Sequence, residues 1–177
     1  ADWLVDTEHG AGQLLARVIV NRLWQHHLGR GIVGTTSDFG LQGELPTHPG
    51  LLDWLAGELI HNGWRLKPLH KQIIMSATYA QSAEFVHAKA AVDPENRLHW
   101  RRTPRRLEAE PIRDSLLWVS GLLDITMFGK GTLDPAMKRR SVYFQIKRSK
   151  LIPTMQLFGS PEPLVGQGTR PSTIISP

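Results

Sequence analysis

What most constrains the fold of this chain is a repeated arrangement: apolar residues at helical spacing, with a proline near the start or a glycine at the end of each run. Over Gly12 to Leu28, Leu15, Val18, Ile19 and Leu23 fall on one broad face at 100° per residue, and Arg17, Asn21, Gln25 and Leu28 cluster opposite. Val20 and Trp24 widen the apolar coverage, which predicts a central helix, and Gly29 stands where a left-handed C-terminal cap is wanted. Thr47 or His48 can cap a second helix with Pro49 in its first turn, a stripe of Leu51, Leu52, Leu55 and Leu59, and Gly63 as its end. "RLKPLHKQIIMSATYA" repeats the arrangement, with Pro68 opening a third helix and Leu69, Ile73, Ile74 and Ala77 as its expected buried side. A fourth helix is expected from about Arg106 to Ser120, with Leu107, Ile112, Leu116, Val119 and Leu123 roughly on one side. Pro111 is awkward there, because a proline costs about 3 kcal/mol in a helix interior, so either the helix begins near Glu110 or it kinks.

Between these runs the chain is broken. "IVGTTSDFGLQGELPTHPG" carries too many glycines and prolines for a long regular element and reads as an ordered loop, while Asp93-Pro94-Glu95-Asn96 is the best internal hinge. In "SVYFQIK", Val142, Phe144 and Ile146 alternate with Tyr143, Gln145 and Lys147, which predicts a strand. A strand needs a partner, sought around Ile32 and Val33 or near Leu98. The expectation is a mainly α fold: a compact helical domain of about four main helices, a small strand element and a Pro/Gly-rich C-terminal tail. It is read as a single domain over 1–177, with a leader segment 1–11, a helical body 12–158 and an extended tail 159–177.

Composition narrows the chemistry. The 177 residues contain no cysteine, which removes disulfides, thiolate nucleophiles, cysteine-ligated zinc, iron–sulfur clusters and covalent haem attachment. No run approaches the ~18 apolar residues of a membrane span. Charge is uneven: residues 1–93 hold 7 Lys+Arg against 9 Asp+Glu, whereas residues 94–177 hold 14 against 7. Basic clusters stand at Arg101, Arg102, Arg105 and Arg106, at Lys138 to Arg140, and at Lys147, Arg148 and Lys150. They are either solvated flanks of a helix and a strand or a surface for a polyanion or nucleic acid.

The stretch "NRLWQHHLGRG" sets His26 beside His27. Neighbouring helical residues point about 100° apart, so the two cannot share one ion with regular helical geometry, and neither has a His, Asp or Glu four positions away. The spacing favours one ring packed at the helix end and the other near solvent, with a metal site only if His48, His61, His70, His87 or His99 folds onto them. Asp38 in "SDFG" matches the magnesium triplet of protein kinases without any of its context, and reads instead as a turn former. "RRLEAEPIRDS" places Glu108, Glu110, Arg113 and Asp114 around one helix start, a paired-carboxylate arrangement that also suits a helix N-terminus on electrostatic grounds alone. The candidate catalytic residues are therefore His26, His27, Asp38, Glu108 and Asp114. Arg22, Trp24, Arg30, Arg101, Arg105, Arg113 and Arg140 are the candidate binding residues. A G-x-S-x-G elbow, a Walker loop and a dinucleotide fingerprint are all absent.

Three ordered blocks carry a family resemblance: "RVIVNRLWQHHLGRGIVGTTSDFGLQGELPTHPGLLDWLAGELIHNGWRLKPLHKQIIMSATYAQSA", "DPENRLHWRRTPRRLEAEPIRDSLLWVSGLLD" and "RRSVYFQIKRSKLIPTMQLFG". Together they look like the C-terminal domain of unknown function of large planctomycete proteins that also carry a planctomycete-type cytochrome c domain. The resemblance implies an exported, multidomain setting, periplasmic or extracellular, with haem held in a separate domain and no cofactor in this one. It also implies surroundings linked to polysaccharide use, and it brings no assigned catalytic residue. Two departures stand out. Such domains continue past a phrase like "SxxAPQAL" into a further helix where this sequence reads "STIISP", which suggests truncation inside the domain, and Pro111 replaces a small helix former. The leading expectation is a structural or interaction module docking on sister domains of the same polypeptide. Its rivals are a hydrolase or glycan-active enzyme, and a polyanion-binding surface on the basic half.

Overall fold

The computed structural model describes residues 2–147, 149–160 and 168. It is mainly helical: α1 (Asp2–Val5), α2 (Gly12–Leu28), α3 (Pro49–His61), α4 (Leu66–Ile74), α5 (His87–Val92), α6 (Ala109–Val119) and α7 (Pro153–Leu157), with one 3-10 turn at Ser141–Tyr143. The chain falls into two compact units, Ala1–Arg105 and Arg106–Pro177.

In the first unit α2 is the central element, packed by α1, α3 and α4. Ala16, Val20, Trp24 and Leu28 form its buried stripe and meet Leu52, Leu55 and Leu59 of α3 and Leu69 and Ile73 of α4. Gly29 ends α2 at φ +96°, donating its N–H to the Gln25 carbonyl, a backbone conformation for which glycine is suited because it lacks a Cβ. The chain then turns back along α2. Asn21, on the helix side opposite the expected apolar face, is fully buried: its Nδ2 donates to the Val33 carbonyl (3.0 Å) and its Oδ1 accepts the Val33 N–H (2.9 Å). One amide side chain thus satisfies both backbone groups of Val33, as a neighbouring strand would.

The third helix extends from Leu66, two residues before Pro68, and stops at Ile74. Ser76 ends it, its hydroxyl donating to the Ile73 carbonyl (2.7 Å) and accepting the Tyr79 N–H (3.2 Å). Ile74 and Ala77 are consequently exposed rather than buried. Beyond α5, the hinge at Asp93 is a tightly tied loop: Asp93 accepts the N–H groups of Arg97 (2.9 Å) and Leu98 (2.7 Å), and its carbonyl accepts the Trp100 indole N–H (2.8 Å).

The second unit is built differently. α6 begins at Ala109, so Pro111 lies in the first turn, where a backbone N–H has no helical partner to lose. The helix buries Ala109 and Arg113, while Leu107, Leu116 and Val119, expected on its inner side, are exposed. Ala109 packs with Ile152 and Met155 of the α7 region, against Phe144 and Phe158.

The strand element expected over Val142–Ile146 is absent: among the described residues there is no strand, only isolated bridges, one of which pairs Thr132 with Phe144. Ser141–Tyr143 winds into the 3-10 turn, whose three-residue repeat breaks a two-residue alternation. Val142 and Ile146 face solvent as a result. Neither anticipated partner is free to pair. Val33 is occupied by Asn21, the Ile32 carbonyl accepts the Thr47 N–H (2.9 Å), and the Leu98 N–H is taken by Asp93. The tail expected over 159–177 lies, except for Gly159, Ser160 and Gly168, outside the described residues.

Candidate functional sites in the two units

In the first unit the histidine pair separates as the helical geometry requires. His26 is exposed at the end of α2, whereas His27 is half-buried against α4, its Nε2 only 2.7 Å from His70 Nδ1. A hydrogen bond between two imidazoles needs one nitrogen to donate and the other to accept. Tyr79 sits edge-on to His27 at 5.9 Å between ring centroids, and the Arg102 guanidinium lies 4.1 Å over the Tyr79 ring. Burial, then His70, Arg102, Arg105 and His26, hold His27 below the ordinary histidine pKa. Arg105 reaches back along the same surface to donate to the His26 carbonyl (2.9 Å).

A second histidine contact lies on the same helix. The Trp24 indole N–H donates to His99 Nε2 (3.2 Å), which fixes that nitrogen as an acceptor, and His48 approaches the His99 ring at 6.0 Å. Burial and His48 lower the His99 pKa, with Asp93 opposing them. Trp24 is therefore a core residue with its polar edge satisfied.

The other sequence candidates of this unit have structural partners or none. Asp38 is exposed and accepts the Gly40 N–H (2.8 Å), a turn former. Arg30 pairs with Glu44 (3.2 Å) and Glu95 (3.1 Å), Arg101 lies between the Phe85 and Trp100 rings at 5.1 Å from each, and Arg22 is exposed on α2. Sequence reasoning named His70 only among loose metal candidates and Arg102 only within a basic cluster, and it missed Tyr79, because packing of α4 on α2 leaves no spacing signal along the chain.

In the second unit Arg113, Asp114 and Arg140 do come together, around Ser141. Arg113 Nη1 donates to the Arg139 carbonyl (3.0 Å) and to Ser141 Oγ (3.2 Å), and Nη2 donates to the Met137 carbonyl. The guanidinium stacks 4.6 Å over Phe144, and its burial lowers its pKa against the opposing pull of Asp114. Asp114 Oδ1 accepts both the N–H and the hydroxyl of Ser141 (2.7 Å each), and Oδ2 lies 3.5 Å from Arg140 Nε. These charges fasten the 137–141 segment to α6. Beside them opens a cleft of about 1160 Å³. Its walls include Glu108, Glu110, Trp118, Val119, Val142 and Ile146, with Met155 from the buried cluster.

Among the described residues no three His, Asp or Glu side chains gather as a metal centre would need, and no helix is long and apolar enough to cross a membrane. Taken together, fold and sites define a mainly helical protein whose polar constellations chiefly tie its own segments together. The chain belongs to the PSD1 family, described as a protein of unknown function (DUF1553), which it matches over residues 1–177. Neither the curated proteins nor the solved structures contain a match.

Proposed function

We propose that this protein is a docking module, and that the cleft of its second unit receives an apolar segment of a sister domain in an exported polypeptide. The observation that carries this reading is how much apolar surface the second unit leaves outside. Trp118 is 68% exposed, Val119 85%, Val142 71% and Ile146 87%, whereas only Ala109, Ile152 and Met155 are its buried apolar residues among those described. Contiguous large apolar side chains around a concavity are the mark of a surface meant to be covered, with aromatic anchors contributing most. Lys147, Lys150 and Glu110 at its edge supply a polar rim of both signs.

The test is a pull-down of separately expressed sister domains at low and physiological salt. Trp118→Ser and Ile146→Ser should each weaken capture by roughly tenfold or more while leaving helicity unchanged. Failure of the sister domains to bind at either salt concentration would overturn the reading.

A glycan-active enzyme has one observation in its favour: Glu110, Asp114 and Trp118, spaced four apart on α6, all line the cleft. Paired carboxylates beside an indole can act on a sugar. Asp114 is already engaged by Ser141 and Arg140, and His26, His27 and Asp38 belong to the other unit, which leaves this the weaker reading. Release of reducing sugar from a polysaccharide panel, lost in Glu110→Gln, is the result that would reverse that order.

A further inference from the structure

The arginines after the Asp93 loop are unbalanced in a way that the docking reading leaves unused. Arg102 and Arg105 form no ion pair among the described residues, a property they share with Arg101, whereas Arg17, Arg30, Arg97, Arg113 and Arg140 lie beside carboxylates. Arg102 Nη1 is moreover buried without a hydrogen-bond partner, as are Arg101 Nε and Gln81 Oε1, and of the three it is the one whose guanidinium lies against the Tyr79 ring that meets His27. A guanidinium nitrogen withdrawn from water normally finds an acceptor, because leaving it unmatched carries the full desolvation cost. Tyr79 covers one face of this guanidinium and orients it, and the ring cannot accept from Nη1 in the guanidinium plane.

Among the described residues, the side chains in ring contact or electrostatic interaction with His27 are basic or aromatic. His26 and His27 come from α2, His70 from α4, Arg102 and Arg105 from the segment that crosses them, and the Tyr79 ring lies between His27 and Arg102. The groups acting electrostatically on His27 are all basic, and no carboxylate is among them. Like charges gathered without a counterion are costly in isolation and become favourable around an anion.

We infer that His27, His70, Arg102 and Arg105 form a binding site for a tetrahedral oxyanion, a phosphate or sulfate group. The two arginines supply charge-assisted donors, the geometry for which guanidinium is suited. The imidazole pair adds a switchable donor: one proton already lies between the two facing nitrogens, and an arriving dianion favours an additional proton on the pair, which leaves a ring N–H outside that contact to donate. Such a group can arrive as a free ion or as an ester on a larger molecule.

The experiment follows the imidazole ring protons of the intact chain by NMR during titration with sodium sulfate, against sodium chloride at equal ionic strength. Saturable shifts of His27 and His70 that chloride does not reproduce are expected, with the His27 titration moved to higher pH. Arg102→Gln and Arg105→Gln should each weaken sulfate binding by roughly tenfold. Arg101→Gln, which alters a side chain held between Phe85 and Trp100, should leave it unchanged. A second arm replaces sulfate with a heparin oligosaccharide. Tighter binding there assigns the group to an esterified polymer, equal binding assigns it to the free ion, and either supports the site. Shifts that track ionic strength alone, or equal affinity in the wild type and both folded arginine variants, overturn it. Should Arg102→Gln lose its fold through the Tyr79 stack, Arg105→Gln alone decides.

Discussion

At the scale of single residues, Asn21 is the position where a side chain does most for its size. It lies inside the first unit and satisfies both backbone groups of Val33, and Gly31 is packed so closely that a Cβ there would meet Val33 O at 2.6 Å and Asn21 Nδ2 at 2.7 Å. Asn21→Leu should therefore destabilise the protein by about 3 kcal/mol, because two buried backbone groups lose their partner. Urea denaturation would measure it, and a change below about 0.5 kcal/mol would show that Val33 finds another partner. Asn21 was legible in the sequence only as a member of the face opposite the apolar stripe, with Arg17, Gln25 and Leu28. Nothing along the chain reveals that a loop twelve residues on folds over that face, so helical periodicity placed Asn21 opposite the apolar stripe and named no partner for it. The histidines were more legible, since the 100° step between neighbours already separated a packed ring from an exposed one.

At the scale of elements, α6 shows how one buried cation can replace an apolar face. The helix was recognisable from its stripe, but the stripe points outward, and Arg113 instead holds the carbonyls of Met137 and Arg139 and the Ser141 hydroxyl. Arg113→Met should release the 137–145 segment at a cost of about 2–3 kcal/mol, seen as faster amide exchange there than in α2. Arg113→Lys should not rescue it, because an ammonium lacks the planar fork that reaches several carbonyls at once. The missing strand has the same origin. An alternating pattern states a preference, and it becomes a strand only if a neighbouring backbone is available. Here Asp114 captures the Ser141 N–H, and the candidate partners are bonded elsewhere.

At the scale of the whole molecule, two histidines of the first unit couple stability to pH. Burial, followed by His70, Arg102, Arg105 and His26 for His27 and by His48 for His99, holds both below the ordinary value of 6.5. In the window between the folded and unfolded values the unfolded chain binds more protons, so stability rises with pH there. Their contribution is complete above pH 6.5 and is lost as the pH falls through the lower folded values. The urea midpoint should drop between about pH 7.5 and about pH 5.5, and His27→Gln should reduce the drop. An identical pH dependence in the variant would remove His27 from the account. The sequence by itself determined the helical class, the bounds of α2 with its glycine cap, the absence of cysteine chemistry and the family. These rest on local periodicity, backbone preference and composition, which act between near neighbours. Tertiary structure alone decided that Asn21 and Arg113 are interior, that His27 meets His70, that the second unit turns its apolar stripe outward and that the alternating segment is not a strand. Each of these depends on which groups arrive at the same place from distant parts of the chain, and on which hydrogen bonds are already taken when they do.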